Sequence, residues 1–242
     1  MRIGILANSF PAAVRIYDEV RKVAASEVYV LLFPSNHESQ ARDLMRHLAR
    51  LILKTGRWKS LRMILAGRVV YFGKVLDDPQ SLARLKELNL DLGLHKSGTI
   101  YRRGTIECFR LGILNAHIGL LPKYRGRSVM EWSLVQGDPI GISVFFIDEG
   151  IDTGQQIVLS EAVDISHCKS LREAKQYLFD LDATFYRRAV EKLNAGIVTY
   201  QSNEESGRRY YVMSKLLQHV AQENLAVSDR QSAIGNRQSE PA

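Results

Sequence analysis

Two periods of apolar residues run along this chain, one of two residues and one near 3.6, and they alternate. Arg2 to Asn8 is a short apolar run that predicts a strand. Ala12 to Ala25 carries Val14, Tyr17, Val20, Val23 and Ala24 at helical spacing. Glu27 to Phe33 is apolar and partly β-branched, and Pro34 ends it as a strand. Leu44, Leu48, Leu51 and Ile52, with Met45 beside them, then form the apolar face of a further helix. Arg68 to Phe72 reads equally as a strand or as a helix end. Ser81 to Leu90 predicts a helix, Leu90 to His95 a short strand, Gly104 to Phe109 a helical turn and Leu111 to His117 a strand. Met130 to Gln136 predicts a helix that Gly137 stops. In Gly141 to Ile147 both alternating faces are apolar, the pattern of a strand covered on both sides. Gln156 to Val163 is another strand. Leu171 to Leu193 is a long amphipathic helix ended by Asn194-Ala195-Gly196.

Strands alternating with helices predict an α/β, Rossmann-like fold: a mostly parallel sheet with helices on both faces and a small C-terminal extension. Ligands in such folds bind at the carboxyl ends of strands. Residues 1–195 are expected to form the main domain and 196–227 a short extension or cap, with Thr199-Tyr200-Gln201 and Arg209 to Met213 as a small strand pair. Ser228 to Ala242 is polar, repeats Arg-Gln-Ser, and is expected to be a disordered tail. The first turn, Ala7-Asn8-Ser9-Phe10-Pro11, lacks the spaced glycines of a dinucleotide site.

Composition narrows the classes. With 242 residues, 45% hydrophobic and 24% charged, the chain can bury a core without staples. Two cysteines, Cys108 and Cys168, exclude a disulfide scaffold. The histidines lack metal-ligand spacing, so no metal is expected. No apolar run reaches the length of a membrane span, and the N-terminus does not read as a signal peptide, so a cytoplasmic protein is expected.

The net charge of +7 is uneven. Residues 42–74 hold nine basic side chains against Asp43 alone, so this segment carries +8 and the rest −1. Arg42, Arg46, Arg50 and Lys54 recur every four residues as one helical stripe. The stripe is either a surface for phosphate, RNA or anionic lipid, or a solvated outer face.

The chemistry concentrates between residues 111 and 157. The strand Leu111-Gly112-Ile113-Leu114 delivers Asn115-Ala116-His117 at its carboxyl end. Residues two apart on a strand share a face, so an amide and an imidazole point together. That pairing suits a developing oxyanion and a proton transfer. Leu120-Leu121-Pro122-Lys123-Tyr124-Arg125-Gly126 follows, then Asp148-Glu149-Gly150-Ile151-Asp152-Thr153-Gly154 after the Gly141 strand. Asp152 is placed to orient His117 and accept protons. A lone histidine at a strand end is more often structural, and a D-x-G loop is commonly a turn.

Together, Asn-x-His, L-L-P-x-Y-R-G and D-E-G-I-D-T-G resemble the folate-dependent formyltransferases, a group acting on methionyl-tRNA, glycinamide ribonucleotide and amino sugars. The resemblance is strong from Leu111 to Ile157 and weaker across 1–195. It implies a 10-formyltetrahydrofolate donor and an amine acceptor. It implies Asn115, His117 and Asp152 as the catalytic trio. It implies the loops Gly98-Thr99-Ile100-Tyr101 and Ile147-Asp148-Glu149-Gly150 as the pterin-holding segments, which otherwise read as ordinary strand-end turns. The family usually has a serine two residues after the histidine; here Gly119 stands there, without that hydroxyl.

After the long helix about 50 residues remain, too few for the barrel and linker of methionyl-tRNA formyltransferase. The expected acceptor is therefore a small amine, an amino sugar on a nucleotide diphosphate, with tRNA less favoured. The alternatives are a methionyl-tRNA formyltransferase-like enzyme without the barrel, or an inactive relative binding RNA or membrane through residues 42–74. Oligomeric state is not legible in the sequence.

Overall fold

The computed structural model describes residues 1–23, 26–34, 66–148, 156–196, 201–202 and 207–237. The chain divides into two compact units. The first is Met1–Asn115, Phe146–Gly150 and Tyr186–Val198; the second is Ala116–Phe145, Ile151–Phe185 and Thr199–Ala242.

The first unit contains β1 (Arg2–Ala7), α1 (Phe10–Val20), β2 (Glu27–Leu32), β3 (Val69–Tyr71), α2 (Pro79–Glu87), β4 (Leu90–Lys96), α3 (Arg103–Ile106) and most of β5 (Phe109–Ile118). Its strands lie in the order β3-β2-β1-β4-β5, and every neighbouring pair is parallel. β1 has a strand on each side, and Ile3 to Ala7 are all buried. Burial on both faces is why its sequence reads as an unbroken apolar run. α1 begins two residues before the expected Ala12, because Pro11 is tolerated in a first turn whose N–H groups need no helical partner. It buries Phe10, Ala13, Val14, Ile16 and Val20 and ends at Val20, short of the expected Ala25. The ambiguous 68–72 stretch is strand β3, with Val30, Leu31 and Leu32 of β2 as its partners. In α2, Asp78 caps the helix by accepting from the Gln80 N–H at 3.0 Å.

The second unit contains the end of β5, β6 (Arg125–Gly126), α4 (Val129–Gln136), most of β7 (Gly141–Phe146), β8 (Gln156–Ala162), the first part of α5 (Leu171–Asn194), β9 (Gln201–Ser202), β10 (Arg209–Tyr210) and α6 (Lys215–Arg237). β7 is buried at every position, as its two apolar faces predict. β8 runs antiparallel to β7, and β9 antiparallel to β8. The fold is thus α/β with mostly parallel strands.

Two expectations for the C-terminal region change. The segments around Gln201 and Arg209 do not pair with each other: β9 joins β8, and β10 joins β6 in parallel, with Tyr210 opposite Gly126. Gly126 has φ +100°, and a Cβ there would overlap the Tyr210 carbonyl oxygen. Glycine therefore admits the close strand approach that redirects β10. The tail from Ser228 is not irregular at its start, since α6 continues through Arg237. Polarity alone does not disfavour a helix that is already nucleated upstream, where Ala221 and Leu225 are fully buried.

Candidate active site

Each candidate side chain belongs to one unit or the other. In the first unit, β4 ends in Leu94-His95-Lys96, and the chain turns through Ser97 to Tyr101. Tyr101 is 2% exposed. Its hydroxyl meets His95 Nδ1 at 3.1 Å and Ser97 Oγ at 2.9 Å. The His95 ring stands edge-on to it, 5.3 Å between centroids. Burial pushes the His95 pKa down to about 4, with the Lys96 charge adding to the effect. Burial also raises the Tyr101 phenol well above its ordinary value. Both rings are therefore neutral near pH 7, and their contacts are neutral hydrogen bonds. The Tyr186 hydroxyl donates to the His95 carbonyl at 2.6 Å and fixes the end of the strand.

Tyr101 belongs to an apolar cluster with Leu6, Phe33, Phe72, Phe109 and Ile113, and Ile147 packs against the same cluster. Two residues expected to hold a pterin, Tyr101 and Ile147, thus pack on one buried apolar cluster. The Ile147 N–H donates to the Ile113 carbonyl at 2.7 Å, which seats the start of the 147–150 loop on β5. Ile100 is 69% exposed, and a Cβ on Gly98 would meet nothing within 4 Å. The Thr99 N–H points to Ser97 Oγ at 3.3 Å. This loop consequently has one buried anchor, Tyr101, and an accessible crest at Gly98 to Ile100. Asp148 is described; Glu149, Gly150 and Asp152 lie outside the described residues.

Asn115 is the last residue of the first unit's share of β5 and is half-buried. His117, two positions on, opens the second unit's site and is 8% exposed. His117 Nε2 lies 2.8 Å from the Tyr124 carbonyl oxygen. A carbonyl only accepts, so Nε2 carries the proton in this geometry. The Phe145 ring stands edge-on at 6.5 Å. A Cβ on Gly119 would fall 2.8 Å from His117 Nε2 and 2.9 Å from the Tyr124 oxygen, the two atoms that bond.

The segment 119–127 is held from several sides. Ser143, fully buried in β7, accepts from the Leu121 N–H at 3.0 Å, donates to the Gly119 carbonyl at 2.7 Å and meets the Ser160 hydroxyl at 2.9 Å. Tyr124 is buried; its hydroxyl donates to Gln136 Oε1 at 2.8 Å and also contacts the Asp138 carboxylate. Lys123 lies 2.6 Å from Asp138. Lys123 first, then Tyr124, hold the Asp138 carboxyl below its usual range. Burial and then Asp138 raise the Tyr124 phenol. Ser143 and Tyr210 are supports of this segment that sequence reasoning passes over. A hydroxyl inside the otherwise apolar Gly141 to Phe146 run is the one signal for Ser143.

Trp132 packs 5.5 Å from Tyr210 and donates to the Tyr211 carbonyl at 2.9 Å, which makes it a packing residue of the second unit. Cys108 and Cys168 are both buried, and burial raises both thiols. Of the basic segment only its end is described. Arg68 lies 3.5 Å from Glu27 and over the Tyr29 ring, and Lys74 lies 3.2 Å from Asp78. Both are engaged locally; the Arg42 to Lys54 stripe falls outside the described residues. Among the described residues there is no helix long and apolar enough to cross a membrane, and no cluster of three or more metal-ligating side chains.

The profile of the formyl transferase family matches residues 1–190. A methionyl-tRNA formyltransferase from Thermodesulfovibrio yellowstonii is 31% identical over 126 residues, 51% of this chain and 41% of the relative. One from Flavobacterium johnsoniae is 31% identical over 143 residues, 58% of this chain and 45% of the relative. The chain thus matches less than half the length of these relatives. Among solved structures, a sugar N-formyltransferase from a Shewanella species has TM-score 0.61 at 14% identity, covering 93% of this chain and 87% of that one. A glycinamide ribonucleotide transformylase from Symbiobacterium toebii has TM-score 0.60 at 20% identity, covering 88% and 94%. A formyltransferase from Anoxybacillus kamchatkensis, solved with a formamido sugar nucleotide and tetrahydrofolate, has TM-score 0.57 at 15% identity, covering 95% and 100%. The chain belongs to the formyl transferase family.

Proposed function

We propose that the chain transfers a formyl group from 10-formyltetrahydrofolate to an amine, and that the amine is an amino sugar carried on a nucleotide diphosphate. The observation that carries the transfer reading is Asn115 and His117, two positions apart at the carboxyl end of β5, in a chain of this family. The acceptor nitrogen bonds to the formyl carbon, and the bond from that carbon to N10 of the folate breaks. Charge develops on the formyl oxygen between the two steps. Asn115 donates to that oxygen through its amide, and His117 supplies positive charge when Nδ1 is protonated. Asp152 takes the proton the amine gives up, which returns to the departing nitrogen. The loops 98–101 and 147–150 hold the pterin, with Tyr101 buried beneath the first of them.

The sugar acceptor is supported by the likeness in fold to sugar N-formyltransferases along nearly the whole chain. The identity to methionyl-tRNA formyltransferases favours tRNA as the second reading. The expected compartment is the cytoplasm. The test is release of tetrahydrofolate from 10-formyltetrahydrofolate, with UDP- and dTDP-amino sugars in one series and charged initiator tRNA in the other. Turnover with a nucleotide amino sugar alone supports the proposal. Turnover with tRNA alone replaces the acceptor, and no turnover with any amine, alongside salt-sensitive RNA or liposome binding, overturns the transfer.

A further inference from the structure

Residues 207–213 lie beyond the stretch that the family profile matches, yet they are fastened onto the motif loop that follows His117. β10 pairs with β6, Arg209 opposite Arg125 and Tyr210 opposite Gly126. The Arg127 N–H donates to the Tyr210 carbonyl at 3.1 Å. The Met213 N–H donates to Ser128 Oγ at 3.2 Å. Gly207 sits so close to Pro122 that a Cβ would overlap the Pro122 carbonyl. The two tyrosine rings stack at 5.3 Å and 21°, and Gln136 Nε2 donates to the Tyr210 hydroxyl at 3.0 Å while its Oε1 accepts from Tyr124. Tyr210 therefore covers and locks Tyr124, and the Tyr124 carbonyl is the atom that holds His117 Nε2.

The geometry points to a C-terminal clasp, centred on Tyr210, that sets the ring orientation and tautomer of His117 through the Tyr124 carbonyl. Tyr210 and Gly126 are positioning residues: neither touches the reacting atoms in the proposed reaction. Gly119 is the third part. It leaves space for the imidazole and the carbonyl to meet, where a side chain would separate them. A serine, usual at this place in the family, would put its Cβ within 3 Å of both. A hydrogen bond fixed from a distance in this way removes the reorientation that catalysis would otherwise require.

The inference rests on the transfer reading for its catalytic meaning, and its test has a readout independent of turnover. In protein labelled with ¹⁵N-histidine, the ring-117 Nε2–H should be protected from solvent exchange; its signal is assigned by its loss in His117→Gln. Tyr210→Phe keeps the stack and should keep the signal. Tyr210→Ala and Gly119→Ala, checked as folded by their melting curves, should lose it. Their kcat should fall about tenfold to a hundredfold while KM for the folate donor moves less than about twofold. An unprotected Nε2–H in the wild-type protein overturns the clasp without any variant, and so does a signal unchanged in both substitutions. If the signal behaves as expected but no amine is formylated, the clasp stands and the transfer reading fails.

Discussion

Two buried tyrosines, Tyr101 and Tyr124, organise the candidate loops of the two units, and they are tethered in opposite ways. Tyr101 is held by His95 and Ser97, within seven residues of chain. Tyr124 is held by Gln136 and Asp138 a dozen residues on, and is covered by Tyr210 a further 72 residues away. The first loop carries the polar tethers of its tyrosine in its own sequence, although the ring packs on Leu6, Phe33, Phe72, Phe109 and Ile113. The second borrows its cover from the C-terminal region. A loop fixed locally tolerates change elsewhere in the chain, whereas one fixed by distant strands couples the shape of its site to the whole second unit.

The comparison breaks most sharply at Tyr124 itself. Tyr124→Ala removes a fully packed ring, leaves Tyr210 without its stack and leaves Gln136 and Asp138 without the hydroxyl. The expected cost is about 3–5 kcal/mol of unfolding free energy, read from urea denaturation midpoints at constant slope. A loss under about 1 kcal/mol would mean that the second loop is held by its backbone alone, and the contrast between the two tyrosines would disappear.

Turnover gives the next largest effect. Asn115→Ala removes a donor from the developing oxyanion and is expected to lower kcat on the order of a hundredfold or more, equivalent to about 2.7–4 kcal/mol in the barrier. Stability should hardly change, because Asn115 is only half-buried. Steady-state kinetics with the folate donor saturating separates this from Tyr124→Ala, which should act on both quantities. A kcat within a few-fold of wild type would remove Asn115 from the reaction.

Much of the first unit was legible in the sequence, and the reason is local. The run Arg2 to Asn8 has one structural reading, a short apolar strand, and the structure forms it over Arg2–Ala7. In the second unit, too, Gly137 marks the end of α4 because a left-handed cap, φ +70°, favours glycine. What stayed hidden depends on pairs distant in sequence. Nothing in Arg209-Tyr210 says that its strand partner is Arg125-Gly126 rather than the nearer Gln201. Ser143 looked like one polar interruption of an apolar strand, yet it ties Gly119, Leu121 and Ser160 together. Candidate residues carried by a motif, such as Asn115 and His117, can be named from sequence; the carbonyl that bonds the histidine cannot, because every residue has one.

Ser143→Ala sharpens the comparison on the side of the second loop. It leaves the Leu121 N–H and the Gly119 carbonyl without the hydroxyl that serves both. Two polar groups losing a buried partner should cost about 2–3 kcal/mol. The same substitution at Ser97, where the environment is partly open, should cost about 1 kcal/mol or less. Parallel thermal melts of the two variants decide the point, and equal losses would show that local and distant tethers carry the same weight.

The last effect belongs to the first loop and is a pH dependence. Burial holds His95 neutral down to about pH 4, while in the unfolded chain it titrates near 6.5. Between these values the unfolded state binds the extra proton, so stability falls as pH drops from about 6.5 towards 4 and is unaffected by this group above 6.5. By pH 5 the loss should be about 2 kcal/mol. Lys96 opposes protonation further, and burial keeps the neighbouring Tyr101 phenol neutral throughout this range. The urea midpoint of His95→Gln should therefore be flatter than that of the wild-type protein between pH 7 and 5. Gln can still donate to the Tyr101 hydroxyl but cannot take up the proton. If both proteins lose stability in parallel, the acid sensitivity arises elsewhere, and the locally tethered loop is not where the fold responds to pH.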